Sequence, residues 1–127
     1  MVKKRILLID DEPGIRQVLP VAFRVIASWE TVVADSCQAG IALAETEPLD
    51  AILLDVMMPE MDGITAFNKM QSNPISRSIP TILLTAKAQA SDRNRFAQLA
   101  IAGIITKPFK APDVVSQIRL ILNWHDS

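Results

Sequence analysis

Five short apolar runs constrain this chain more than any other feature: "ILLI" at 6–9, "TVVA" at 31–34, "AILL" at 51–54, "TILL" at 81–84 and "GIIT" at 103–106. They are uniformly apolar rather than alternating, as central strands covered on both faces must be. The segments between them carry helical spacing. Ile15, Val18, Leu19, Ala22 and Ile26 recur at i, i+3, i+4, i+7 and i+11, and Val114, Ile118, Ile121 and Leu122 at i, i+4, i+7 and i+8. "EPG" opens the first helix with an early proline, "TEPLD" ends the second, and "SNPISRSIP" reads as a loop before the fourth strand. Pro20 falls inside the first helix and predicts a kink or an early end there. A strand–helix unit repeated five times predicts an α/β fold, a (βα)5 doubly wound sandwich with a parallel sheet and helices on both faces.

The length of 127 residues suits one domain with a single substantial core. No linker or low-complexity segment marks a second, so residues 1–127 are expected to form one unit without an output domain. Half the residues are apolar, which excludes a disordered chain. The 13 basic and 14 acidic side chains nearly cancel, so no nucleic-acid surface is expected. "KKR" at 3–5 reads as a solvated N-terminus. The single cysteine, Cys37, excludes an internal disulfide and reads as a small packing residue in a reducing compartment. The apolar part of "MVKKRILLID" is too short for a signal peptide, and no stretch nears the ~20 apolar residues of a membrane span. A soluble, cytoplasmic protein without a membrane partner is expected. Trp29 and Trp124 are read as partial covers of hydrophobic edges, and His125 as a solvated side chain.

The polar residues at the strand ends carry the chemistry. The first run ends on Asp10 and Asp11, the third on Asp55, the fourth on Thr85, and the fifth on Thr106, Lys107 and Pro108. All strand C-termini of a parallel sheet share one edge, where open α/β folds bind ligands. Adjacent carboxylates repel by roughly 4 kcal/mol per pair at ~4 Å and an effective dielectric of ~20. A cation offsets that cost. Three carboxylates without a nearby histidine or cysteine form a hard-oxygen set suited to Mg²⁺ or Mn²⁺. Lys107 and Thr85 can supply a charge and a hydrogen bond to a phosphoryl group, and Asp55 is the best-placed nucleophile for an acyl phosphate. Taken singly, the acids read as helix caps, Thr85 as a plain strand residue and Lys107 as a surface lysine. Their convergence on one edge argues for a site.

"IDDEP", "LLDVMMPEMDG", "LLTAKA" and "TKPF" stand in the order and at the spacing of the receiver domains of two-component response regulators, which the chain resembles over essentially its whole length. That resemblance implies a flavodoxin-like sheet of order 2-1-3-4-5. It implies that Asp10 and Asp11 hold Mg²⁺, with Asp11 the more direct ligand, and that the backbone carbonyl of Met57 joins them. Asp55 resembles the phosphoacceptor, Thr85 the switch hydroxyl, and Lys107 the lysine that pairs with Asp55 and later with phosphoryl oxygens. The Lys107–Pro108 bond is implied to be cis. Pro59 and Gly63 belong to the turn into the third helix, and Ala86 keeps the phosphoryl pocket open. Met57 and Lys87 flank positions that tune water access to the acyl phosphate, and their bulk implies slow hydrolysis.

The implied function is a switch phosphorylated on Asp55 by a sensor histidine kinase or phosphotransfer protein, in a Mg²⁺-dependent reaction that the domain assists. The output is an altered surface for an unknown downstream protein, and a homodimer through the face of the fourth helix, fifth strand and fifth helix is a further candidate. Two departures stand out. Ile104 occupies the position where many receivers carry an aromatic residue, and "AIAGI" at 100–104 replaces a polar loop, giving that face a different partner surface. The competing reading is a receiver-like interaction module that is never phosphorylated. A flavin carrier would need a Ser/Thr/Gly-rich phosphate loop where "DDEPG" stands, and an aspartyl phosphatase a spaced Asp-x-Asp.

Overall fold

The computed structural model describes residues 3–86 and 90–124, without the side chains of 90–93. Five strands, β1 (Arg5–Ile9), β2 (Glu30–Ala34), β3 (Ala51–Asp55), β4 (Thr81–Thr85) and β5 (Gly103–Thr106), form one sheet of order β2-β1-β3-β4-β5. Every pairing is parallel. The helices are α1 (Pro13–Ala22), α2 (Cys37–Thr46), α3 (Gly63–Gln71), α4 (Ala90–Ala97) and α5 (Ala111–Leu122). All five expected strands and the doubly wound arrangement are present.

The uniform apolar runs are explained by two cores. Side chains alternate across a strand, so Leu7, Ile9, Ile52, Leu54 and Leu83 pack on one face with Ala44, Phe67, Met70 and Phe96 of α2, α3 and α4. Ile6, Leu8, Leu53, Ile82 and Leu84 pack on the other with Leu19 of α1 and Val114 and Ile118 of α5. β3 and β4 are buried at every position, whereas the edge strand β2 is partly open.

Three local expectations are corrected and one is met in part. Pro20 does not itself end α1, but the α-helix runs only two residues further, to Ala22, and passes into a π-helical turn at Phe23–Ala27. Proline has no N–H for the carbonyl one turn back, which loosens the ladder just before that change. The buried stripe is Leu19 and Phe23, four residues apart, with Ile15 beside them, while Val18 and Ile26 stay 55% and 45% exposed. Within "SNPISRSIP" a helical turn forms at Pro74–Arg77, because Asn73 caps it through Ile75 N–H at 2.8 Å and proline takes the first position. Ser76 then donates to the Met70 carbonyl at 2.7 Å.

The remaining two corrections concern the lower end of the sheet. Trp29 is fully buried, edge-on to Phe23 and Trp124 with ring centroids at 5.5 and 5.3 Å. "KKR" is not merely solvated: Lys4 Nζ lies 4.8 Å from the Trp124 ring centroid, and Arg5 contacts Glu30 at 3.3 Å and Glu47 at 3.2 Å. Among the described residues no helix is long and apolar enough to cross a membrane. Lys87 and His125 lie outside the described residues.

Candidate functional site

The C-terminal ends of β1, β3, β4 and β5 deliver the polar residues to one edge. Asp10 follows β1 and is wholly buried, and Asp55 closes β3 with 2% of its surface open. Thr85 closes β4, also buried, one residue beyond Leu84, the register partner of Asp55. Lys107 follows β5, and its N–H donates to the Thr85 carbonyl at 2.8 Å, which fixes the start of the last loop. The Lys107–Pro108 peptide is cis.

Carboxylate oxygens of Asp10, Asp11 and Asp55 all lie within 4.8 Å of one another. Lys107 Nζ donates to Asp10 Oδ2 at 3.0 Å and stands 3.4 Å from Asp55 Oδ2. Two backbone donors bind the other oxygens: Glu12 N–H to Asp10 Oδ1 at 2.9 Å, and Met57 N–H to Asp55 Oδ1 at 3.1 Å. Neither tandem aspartate caps α1. The N-cap is Glu12, which makes no side-chain cap bond.

The charges are under-compensated. Burial pushes the Asp55 carboxyl up to about 6, and the charge of Asp10 adds to this, while the Met57 N–H and Lys107 pull it back. Burial alone lowers the affinity of the Lys107 amine for its proton. Hydrogen bonds to Glu12 and Asp10, with the charges of Asp10 and Asp55, outweigh that and hold it above the ordinary lysine range. One lysine thus serves a buried carboxylate group that repels itself, and an all-oxygen donor set of this kind fits a hard divalent cation. Asp10, Asp11 and Asp55 are the side chains that could hold it.

Sequence reasoning missed Glu12. Its Oε1 accepts a bond from Lys107 Nζ at 3.0 Å from a largely exposed side chain, so the lysine is shared between the pocket and its rim. Its place next to the tandem aspartates was the available signal. Arg16 also went unremarked; its Nη1 donates to the Asp10 carbonyl at 3.0 Å.

The turn positions hold the end of β3 in place. Asp62 caps α3 by accepting Thr65 N–H at 2.9 Å, and Gly63 N–H donates to the Val56 carbonyl at 2.9 Å. A Cβ at Gly63 would sit 2.6 Å from the Asp55 carbonyl oxygen, so only glycine fits. Pro59 and Ala86 are exposed, and Met57 points a half-exposed side chain outward. Ile104 is half-buried against the core on the α2–α3–α4 side. Beside the acids, a cavity of about 430 Å³ is walled by Glu12, Ile15, Ala86, Lys107, Pro108 and Phe109.

The fold and this edge define a response regulator receiver domain, and comparison with known proteins agrees. The model of the response regulator receiver domain family matches residues 6–119, and the chain belongs to that family. The phosphate regulon transcriptional regulatory protein PhoB of Pseudomonas aeruginosa is 33% identical over 122 residues, 96% of this chain and 53% of that protein. The probable transcriptional regulatory protein TcrX of Mycobacterium tuberculosis is 36% identical over 92% of this chain and 49% of its own length. The chain therefore spans about half the length of the curated relatives it matches. Among solved structures, the receiver domain of sensor histidine kinase PA1611 from Pseudomonas aeruginosa, with a magnesium ion coordinated in its active site cleft, has a TM-score of 0.83 and 26% identity, covering 96% of this chain and 99% of that one. Chemotaxis protein CheY4 of Vibrio cholerae shares the fold at a TM-score of 0.87 and 21% identity, over 94% of this chain and 99% of its own.

Proposed function

We propose that residues 1–127 act as a single phosphorylation-operated switch in a two-component pathway, with Asp55 as the phosphoacceptor. The observation that carries this reading is the convergence of Asp10, Asp11 and Asp55 within 4.8 Å, with Lys107 at 3.0 Å from one acid and 3.4 Å from another. The donor is a phosphohistidine on a sensor kinase or phosphotransfer protein. An Asp55 oxygen attacks phosphorus, the P–N bond breaks, and the imidazole nitrogen leaves with the bond's electron pair and takes up a proton. The cavity walled by Glu12, Lys107 and Phe109 opens beside Lys107, on the side from which a donor side chain would approach.

Asp10, Asp11, Asp55 and the backbone carbonyl of Met57 are the groups proposed to hold Mg²⁺ or Mn²⁺. When bound, the ion supplies positive charge to the carboxylates and to the transferring phosphoryl group. Lys107 provides a second positive charge, and Thr85 a hydroxyl for a phosphoryl oxygen. Phosphorylation draws Thr85 toward Asp55 and biases a two-state equilibrium, which a downstream protein reads in a cytoplasmic setting. A second copy binding across α4, β5 and α5 is the alternative occupant of that face. Ile104 has no polar tip to gain from water, so it stays packed in both states, and a large outward swing in a beryllofluoride-bound structure would contradict this.

Incubation with acetyl phosphate and Mg²⁺, followed by intact mass measurement, tests the central claim. One phosphoryl group is expected on the native chain and none on Asp55→Asn. An unmodified native chain would favour the interaction module that is never phosphorylated.

A further inference from the structure

The opposite end of the sheet carries a second polar cavity, of about 420 Å³, where β1 and β2 begin. Its walls include Lys3, Arg5, Arg24, Trp29, Glu30 and Thr31. The hydrogen-bonding inventory of this lining is one-sided. Lysine, arginine and the indole N–H can only donate, and of these side chains only Glu30 and the Thr31 hydroxyl can accept. Glu30 is already engaged, with Oε2 at 3.3 Å from Arg5 Nε, and Arg5 also bonds Glu47 at 3.2 Å.

Two cations are left over and, besides the ion-paired Arg5 Nε, two buried polar atoms. Among the described residues, neither Lys3 nor Arg24 has a carboxylate within ion-pair distance. Trp29 is 2% exposed, and its Nε1 has no hydrogen-bond partner; nor does the buried Oγ1 of Thr31. Folded domains leave few such groups unsatisfied, and each one in a native structure calls for a ligand, a water or an ion. Glu30 apart, this wall lacks acceptors bearing negative charge.

We propose that this cavity binds a small phosphate-bearing anion, with Lys3 and Arg24 at the exposed rim and Trp29 and Thr31 as neutral donors. A tetrahedral phosphate suits the arrangement better than a carboxylate. The donors come from four places, namely the segment before β1, the π-helical turn after α1, the residue before β2, and β2 itself, and phosphate offers acceptor oxygens in as many directions. The site lies at the sheet end away from Asp55 and needs none of its chemistry, so it stands or falls independently of the switch.

The test is a titration of the ¹⁵N-labelled full chain with inorganic phosphate, without Mg²⁺, beside chloride at matched ionic strength. Trp124→Phe assigns the Trp29 indole resonance. That resonance is expected to move along a saturating curve with phosphate and not with chloride. Arg24→Ala should weaken the response at least tenfold and Arg24→Glu abolish it, while Lys69→Ala, on α3, leaves it unchanged. A Trp29 signal that stays still, that follows chloride equally, or that responds undiminished in Arg24→Ala would overturn the assignment.

Discussion

Lys107 and Asp10 are 97 residues apart in the chain, yet the Lys107 ammonium donates to Asp10 Oδ2 at 3.0 Å. The acid is fully buried and the lysine side chain only 13% exposed. Removing one partner of such a pair leaves an uncompensated charge in a poorly solvated place, which costs about 3 kcal/mol or more. Lys107→Met is therefore expected to lower stability by about that much in metal-free buffer at pH 7.5, read by urea denaturation. At pH 5 the loss should shrink, because Asp55, whose carboxyl already titrates at about 6, takes up a proton in place of the missing cation. An unchanged midpoint at pH 7.5 would contradict this account.

Divalent ions should stabilise the fold through the same acids. Ligands that bind only the folded state add RT ln(1 + [L]/Kd), so an ion at ten times its dissociation constant contributes about 1.4 kcal/mol. Mg²⁺ and Mn²⁺ are expected to raise the thermal midpoint of the native chain, and Asp11→Ala to remove most of that rise. Calcium-free buffer with and without 10-fold excess EDTA over protein provides the baseline. Equal stabilisation of the native and Asp11→Ala chains would place the ion elsewhere.

Much of this is legible in the amino-acid sequence, for a physical reason. β3 and β4 are covered on both faces, so their runs could only be apolar, and any polar residue ending them had to lie at the sheet edge. Asp55, Thr85 and Lys107 were therefore readable from position alone. What escaped were effects that depend on side-chain reach or helix phase. Glu12 bends back to Lys107 from an exposed position, and no periodicity encodes that. Val18 and Ile26 fit a helical stripe on paper, but Leu19 and Phe23 with Ile15 form the buried one, at i, i+4 spacing that the same segment equally allows. Trp29 packs against Phe23 and against Trp124, and the second contact is between residues distant in the chain.

Cys37 should be unreactive while the protein is folded. Its thiol is buried, donates to the Met61 carbonyl at 3.2 Å, and sits beside Glu60, which accepts the Cys37 N–H at 2.7 Å. Burial first, and then the charge of Glu60, push the thiol from 9.0 up to about 11. The folded chain thus holds a proton that the unfolded chain releases near pH 9. This group's contribution to stability is complete below pH 9 and is lost as pH rises through 11, by at most about 3 kcal/mol. Cys37→Ala should accordingly lose less stability than the native chain between pH 8 and pH 10.5. Ellman's reagent at pH 8 should react at a rate that follows unfolding in urea, and rapid labelling in native buffer would sink the reading.

Gly63 and Gly40 separate a constraint set by backbone from one set by a side chain. At Gly63 an added Cβ meets the Asp55 carbonyl oxygen at 2.6 Å and Val56 Cα at 2.7 Å, and neither can move without displacing the end of β3. At Gly40 the Cβ meets the side chain of Ile9, which can change its rotamer within the core. Gly40 also lies inside α2, where alanine gains about 1 kcal/mol of helix propensity, whereas Gly63 opens its helix and gains little. Gly63→Ala is expected to cost about 3 kcal/mol and Gly40→Ala about 1 kcal/mol or less, both by urea denaturation. Because the first clash pushes on Asp55 itself, Gly63→Ala should also slow labelling by acetyl phosphate under conditions where the chain remains folded, and Gly40→Ala should not. Equal costs for the two would show that the turn into α3 yields more readily than the packing around Ile9.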